Sequence, residues 1–339
     1  MSYPILPKRH ILMQKIIIIL PYFGKFSNYF NLFLKSCEKN HTIDWLVITD
    51  QPSTAWTIPT NVIWENTDFQ KVCSSIKKLY GISPDSPYDL CRYRVAYNRI
   101  FSKFIVGYDF WGYCDCDLIF GDIRRFLTDE ILNTYPKISW RGHLTLFRNK
   151  EPYNSAFLTK IQGFKSFESC INNTDGINLF DEVGINKIYD YLGYPIYTKL
   201  PLCDLRIRDY NFICNHNIFP PETNINQIFR WKEGKLFRLY SLNGEVNQEE
   251  VIYVHFLKRP MELATASISG SSSFLIVPNE FISDRKIDYI TLLVLSQPHI
   301  YWSYWLKRLT PRCLINKIKE KFILSSTYKC NFLGADNKQ

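Results

Sequence analysis

The chain predicts an α/β fold: a mixed, mainly parallel central sheet flanked by helices, with a C-terminal helical appendage. Three observations lead to it. Apolar β-branched runs alternate with stretches of helical periodicity from residue 15 onward. With 339 residues and 46% hydrophobic content, the chain is long enough to bury one large core. Past residue 287 an apolar run at 287–295 gives way, from 299 on, to a mixture of basic and aromatic residues.

Residues 15–20 (KIIIIL) read as a buried strand that leaves the sheet through Pro21-Tyr22-Phe23-Gly24. Tyr29, Phe30, Phe33 and Leu34 follow helical spacing, and 44–49 (DWLVIT) is a second buried strand closed by Asp50-Gln51-Pro52. Strand, helix and strand in this order form a βαβ unit, whose right-handed crossover builds parallel sheets. A short strand at 62–64 and a helix over 69–79 follow, then a turn-rich segment at 81–87. Leu90, Tyr93, Tyr97, Ile100, Phe101 and Phe104 share one face of an expected helix over 88–104. An apolar strand at 108–120 (YDFWGYCDCDLIF) carries two aspartates, and Gly121-Asp122 opens another helix. From 140 to 260 short strands and loops alternate, with a helix over 185–191 and a strand at 251–254. The small polar run at 264–273 (ATASISGSSS) marks a flexible boundary. The expected organisation is a tail at 1–14, a main domain at 15–263, a linker or loop at 264–286 and a basic, aromatic helical region at 287–339.

Composition excludes several classes. The 24 Phe, 22 Tyr and 8 Trp supply too much buriable surface for a disordered chain, and 14 Gly with 17 Pro exclude a collagen-like one. Ten cysteines without a C-x-x-C spacing, most of them in apolar runs, read as buried free thiols of a reducing cytoplasm. Gln14 and Lys15 break the N-terminal apolar stretch and Pro21 follows it, so neither a secretory leader nor a span of roughly 20 apolar residues forms there. The net charge of +9 is concentrated in part in the tail: residues 301–325 hold six Lys or Arg against one Glu, beside Tyr301, Trp302, Tyr304 and Trp305. That pattern suits an anionic membrane surface, the plainer alternative being a helix that packs its aromatics on the core.

Asp115-Cys116-Asp117 carries the chemistry. On a strand, residues i and i+2 share a face, so both carboxylates would converge on one hard divalent cation such as Mg²⁺ or Mn²⁺. Two adjacent buried carboxylates repel each other, and a cation offsets that cost. The pattern alone is common in solvated turns, but here Phe110, Trp111, Tyr113, Leu118, Ile119 and Phe120 flank it.

The run 108–127 (YDFWGYCDCDLIFGDIRRFL) resembles the metal-binding motif of GT-A-fold (Rossmann-like) glycosyltransferases of bacterial capsule and O-antigen synthesis. The resemblance extends to 16–24, 44–50, 90–101, 141–149, 181–188 and 255–258. It implies a UDP-sugar donor, with a hexose such as galactose or galactofuranose, and a lipid-linked oligosaccharide acceptor. It also implies Mn²⁺ or Mg²⁺ held by Asp115, Asp117 and a late histidine, His255. Lys258 would reach the pyrophosphate as a point charge. Pro21, Tyr22 and Phe23 fall where such enzymes hold the base and ribose, and Asp115 would touch metal or ribose. Asp50 is either a hydrogen-bond acceptor for base or ribose or a turn cap before Pro52. Arg94 is expected on phosphate or sugar, and His143 (RGHLTLFRN) is a further candidate for the donor site. An inverting transfer needs a general base, and Asp181 or Glu182 matches the acceptor-side acidic motif. Their alternative reading is an N-cap and first-turn pair for the helix over 185–191. The expected location is cytoplasmic, peripheral on the inner face of the membrane. A nucleotidyltransferase would use the same carboxylates, but its Gly-rich phosphate loop is missing. A nucleic-acid-binding role lacks a recognition motif, so no nucleic-acid partner is expected.

Overall fold

A computed structural model describes residues 13–172, 179–205, 211–215, 218–220, 223, 226–257, 259 and 261–297. The central sheet has seven strands: β1 (Ile16–Pro21), β2 (Ile43–Thr49), β3 (Val62–Asn66) and β4 (Phe110–Cys114), then, past β5 (Leu118–Phe120) of a second sheet, β6 (Lys137–Ile138), β7 (Leu144–Arg148) and β8 (Ile196–Tyr197). Their order is β3-β2-β1-β4-β7-β6-β8. The first four strands are parallel, β7 runs antiparallel to β4 and β6, and β6 and β8 are parallel. The α/β class with a mixed, mainly parallel sheet flanked by helices is thus the observed architecture.

Strand β1 shows why an unbroken isoleucine run suits the sheet's centre. Ile16, Ile18 and Leu20 enter one core layer and Ile17 and Ile19 the other, all at 3% exposure or less. Both faces are covered, so no polar alternation is needed. The helix Phe30–Glu38 sits on the first layer through Phe30, Phe33 and Leu34, and turns Leu32 toward the second and third sheets. On the opposite layer the helix Phe69–Tyr80 starts where the Asp68 carboxylate accepts from the Lys71 N–H at 2.8 Å, and ends at Gly81 with φ +76°.

The second sheet, of order β10-β9-β14-β5, adds β9 (Leu202–Leu205) and β10 (Phe212–Cys214). The third contains β11 (Gln227–Lys232), β12 (Lys235–Leu242) and β13 (Glu245–Glu250). Strand β14 (Tyr253–His255) belongs to the second sheet, and β15 (Glu262–Leu263), β16 (Ser273–Val277) and β17 (Glu280–Ser283) complete the third. The third sheet has the order β13-β12-β11-β16-β17-β15. Both share a core in which Trp231 donates from its indole nitrogen to the Phe120 carbonyl at 3.0 Å.

Four expectations are corrected. The single strand over 108–120 is two strands in different sheets, with 115–117 as the crossing between them. The helix over 88–104 is mostly a 3₁₀ segment, Pro87–Ala96, because Leu90, Tyr93 and Ala96 are buried at a spacing of three, the period of that helix. The expected linker at 264–286 carries β16 and β17: Phe274, Leu275, Ile276 and Phe281 are fully buried, so the polar run 269–273 precedes a core strand rather than a boundary. Not all cysteines are thiols: Cys203 and Cys214 stand opposite each other in the β9–β10 register and form a disulfide, a spatial pairing that their 11-residue separation does not reveal. Cys37, Cys73, Cys91, Cys114, Cys116 and Cys170 remain thiols.

The helix Tyr289–Leu295 begins the expected appendage and packs Leu292 against Ile228, Leu239, Leu275 and Val277. The basic, aromatic stretch at 301–325, most of the tail at 1–14, and Lys258 lie outside the described residues. Among the described residues no helix is long and apolar enough to cross a membrane.

Candidate active site

From β1 the chain moves to β2 and β3 on one side, while β4 lies on the other. Open α/β sheets gather ligands in the crevice that such a reversal leaves at the carboxyl ends of the strands. A cleft of about 270 Å³ lies there. Its walls include Leu20, Pro21, Tyr22 and Phe23 at the end of β1 and just beyond, Cys114 to Asp117 at the end of β4 and just beyond, and Tyr88, Cys91, Arg94 and Tyr97 from the 3₁₀ segment and the helical turn that follows it.

The loop after β1 is held by its own sequence. Gly24, at φ +107°, donates its N–H to the Asp50 carboxylate at 3.0 Å, which ties the loop to the end of β2. Tyr22 stacks on Phe26 with ring centroids 4.6 Å apart. Asp50 therefore braces Pro21-Tyr22-Phe23 from outside and is not part of the cleft wall.

Asp115 and Asp117 sit in the crossing between sheets, and register brings His255 to them. In the antiparallel β14–β5 pair His255 faces Leu118, the residue after Asp117, and Phe256 donates its N–H to the Asp117 carbonyl at 2.9 Å. His255 Nε2 lies 3.5 Å from Asp117 Oδ1 and 3.7 Å from Asp115 Oδ2. Its Nδ1 lies 3.0 Å from Asp204 Oδ1 on β9. Burial lowers the His255 pKa, yet the Asp117 and Asp204 carboxylates outweigh it and lift it to about 10.

Donor atoms of Asp115, Asp117 and His255 all lie within 4.8 Å of one another, as do those of His143, Asp204 and His255. Two carboxylates and an imidazole fit Mg²⁺ or Mn²⁺, with water or ligand oxygens completing the shell. His143, 5% exposed, stands behind the centre rather than in the cleft wall: its ring stacks on His255 at 4.4 Å, and Nδ1 is 2.9 Å from the Tyr253 hydroxyl. Burial, then the His255 charge, holds its pKa well below the usual imidazole range.

Arg94 bridges the metal candidates to the acidic pair. It donates to Asp115, to Asp181 Oδ2 at 3.0 Å and to the Gly142 carbonyl at 2.8 Å, so within this protein its partners are carboxylates and a carbonyl. Burial raises the Asp181 pKa to about 6, with Arg94 opposing and Glu182 adding. Glu182 accepts the Gly142 N–H at 2.6 Å, and a Cβ at Gly142 would meet both carboxylates at 2.9 Å. Both acids occupy a short π-helical turn, Phe180–Gly184, immediately before the expected helix Ile185–Tyr191. Neither side chain caps that helix by a hydrogen bond.

Asp204, Tyr253, Tyr88 and Tyr97 were not marked as site residues by the sequence pattern, which placed Tyr97 only on the apolar face of the expected helix. Tyr88 and Tyr97 flank Arg94 in the same segment and follow from it, whereas nothing local signals Asp204.

Fold and site define an α/β protein with a cleft at the reversal point of a mainly parallel sheet, adjoining a carboxylate–imidazole cluster whose donor set could hold a divalent cation. The chain belongs to the Family of unknown function (DUF6625), whose model matches residues 18–285. Among curated proteins none matches. The matched stretch takes in the central sheet except Ile16 and Ile17 at the start of β1, every residue of the candidate centre and the third sheet through β17.

Proposed function

We propose that this protein is a GT-A-type glycosyltransferase that moves a hexose from a UDP-sugar to a lipid-linked oligosaccharide of O-antigen or capsule synthesis, with inversion. The observation that carries this reading is the convergence of Asp115, Asp117 and His255 at the carboxyl end of β4, beside a cleft walled by the loop after β1. Those three residues would hold Mn²⁺ or Mg²⁺, which supplies Lewis-acid stabilisation of the leaving diphosphate. Pro21, Tyr22 and Phe23 hold the nucleoside against the end of β1. Arg94, released in part from Asp115, offers guanidinium N–H donors to the donor's phosphate or sugar. Asp181, ionised above pH 6, takes the proton of the attacking acceptor hydroxyl. Glu182 is committed to the Gly142 amide and keeps the turn in place.

The proposed site of action is cytoplasmic, where the basic, aromatic C-terminal stretch would hold the enzyme at the inner face of the membrane near its lipid-linked acceptor. Thermal-shift screening of nucleotide sugars with and without Mn²⁺ tests the reading, because a ligand that binds only the folded state raises its melting temperature. A rise with UDP-sugar that requires Mn²⁺ is expected. No response to any nucleotide sugar, or release of pyrophosphate from a nucleoside triphosphate instead of sugar transfer, would overturn it.

A further inference from the structure

A cation bound by Asp115, Asp117 and His255 takes one imidazole nitrogen, and a neutral ring has only one to give. Which nitrogen is available depends on where the ring's proton sits. The ring of His255 turns Nε2 to Asp115 and Asp117, and Nδ1 to Asp204.

We propose that Asp204, backed by His143 and Tyr253, is a positioning residue that holds His255 in its Nδ1-protonated form and thereby presents Nε2 to the cation. The inference rests on the metal reading of the site. An ionised carboxylate only accepts hydrogen bonds. Asp204 Oδ1, 3.0 Å from His255 Nδ1, therefore requires the proton on that nitrogen. Asp204 Oδ2 lies 3.7 Å from His143 Nε2, a buried nitrogen with no hydrogen-bond partner. With the proton of His143 on that side, its Nδ1 is the acceptor and the Tyr253 hydroxyl, 2.9 Å away, is the donor. The His143 ring is then held through its Nδ1 by Tyr253 and stacks on the His255 ring at 4.4 Å, with its Nε2 proton facing Asp204.

The folding of the second sheet makes this chain of contacts. Strand β9 runs parallel to β14 with Cys203 opposite Val254, so Asp204 comes alongside His255. Tyr253 and His255 are two residues apart on β14 and share a face. The rival reading, a second cation held by His143, Asp204 and His255, needs Nδ1 of His255 unprotonated. With Nε2 already given to the first cation, the ring would have to be an imidazolate. One cation is therefore expected, not two.

Calorimetric titration of Mn²⁺ into the full chain, its Asp204→Ala and Asp204→Asn variants and Tyr253→Phe tests this, with ¹⁵N NMR of the ring nitrogens in the Mg²⁺-loaded protein. Wild type should bind one equivalent. Asp204→Ala should weaken binding about 10–100-fold, Asp204→Asn less because its amide oxygen still accepts, and Tyr253→Phe a few-fold. The Nδ1-protonated signal of His255 should give way to a mixture in the Asp204 variants, a change that general loosening of the fold does not predict. Melting in the absence of metal reports folding. If Asp204→Ala fails to fold, unchanged tautomer and affinity in Asp204→Asn and Tyr253→Phe overturn the proposal. Two equivalents in wild type would make Asp204 a ligand and also overturn it. One equivalent with affinity independent of Asp204 sinks this inference alone, while no binding by wild type sinks the metal reading and the inference together.

Discussion

Asp117 is 3% exposed and lies 3.5 Å from an imidazole nitrogen, and in the proposed reading its carboxylate holds the cation. Asp117→Ala is expected to lower transfer by about 10²-fold or more and to abolish Mn²⁺-dependent donor binding, with melting in metal-free buffer little changed. Equilibrium dialysis with Mn²⁺ and a product assay check both. Asp181 sets the expected pH response. Its carboxyl releases the proton at about 6 in the folded protein, so a base role requires kcat/KM to rise with pH through 6 and level off above it. Asp181→Asn should flatten that rise and reduce the rate by about 10²–10⁴-fold; an unchanged profile would move the base elsewhere. At this scale the sequence exposed Asp115 and Asp117 through type and spacing, and His255 only through the family resemblance. It did not expose Asp204, because its meeting with His255 is made by β9–β14 pairing across 51 residues.

Strand β4 delivers the aspartate pair, and its neighbour β7 allows no side chain at Gly112. A Cβ there would overlap the Thr145 carbonyl and the Leu146 side chain, so Gly112→Ala is expected to force β4 from β7 and cost about 1–3 kcal/mol, read by urea denaturation. Lys137 on β6 is fully buried against Phe147 and donates to the Ser139 carbonyl. Burial lowers its pKa from 10.5 to about 7, although Asp181 and Glu182 act in the other direction. Between those two values the unfolded chain holds more protons, so the stability contributed by this group rises with pH through that window and is lowest below 7. Lys137→Met should therefore stabilise by roughly 1–4 kcal/mol below pH 7, a gain that shrinks toward pH 10. Melting curves at pH 6 and pH 10 measure the difference. The elements themselves were mostly readable from periodicity: β1, β2, β3 and the helices Phe30–Glu38 and Phe69–Tyr80. The 3₁₀ geometry of Pro87–Ala96 was not, since spacings of three and four are both present in 88–104 and packing selected between them.

Three sheets packed around shared cores set how much of the chain the protein needs. The helix Tyr289–Leu295 closes the third sheet through Leu292, so a truncation meant to test the C-terminal region should begin after Gln297. Removal of residues 298–339 is expected to leave transfer to a soluble acceptor analogue intact and to reduce sedimentation with vesicles of anionic phospholipid, most strongly at low salt. Equal sedimentation of both forms would argue that the basic, aromatic stretch does not hold the protein at membranes.

The α/β class, the parallel start of the sheet and the Asp-x-Asp motif were legible in the residues, because local periodicity and an apolar setting for charged side chains are properties of short stretches. Three features depended on tertiary structure: the break of one apparent strand into β4 and β5, the assembly of β11–β13 with β15–β17 across an apparent linker, and the joining of Asp204, His143 and Tyr253 behind His255. Each is a consequence of strand register between distant segments. Register is decided by which faces can be buried together, a sum over the whole core that no short stretch contains.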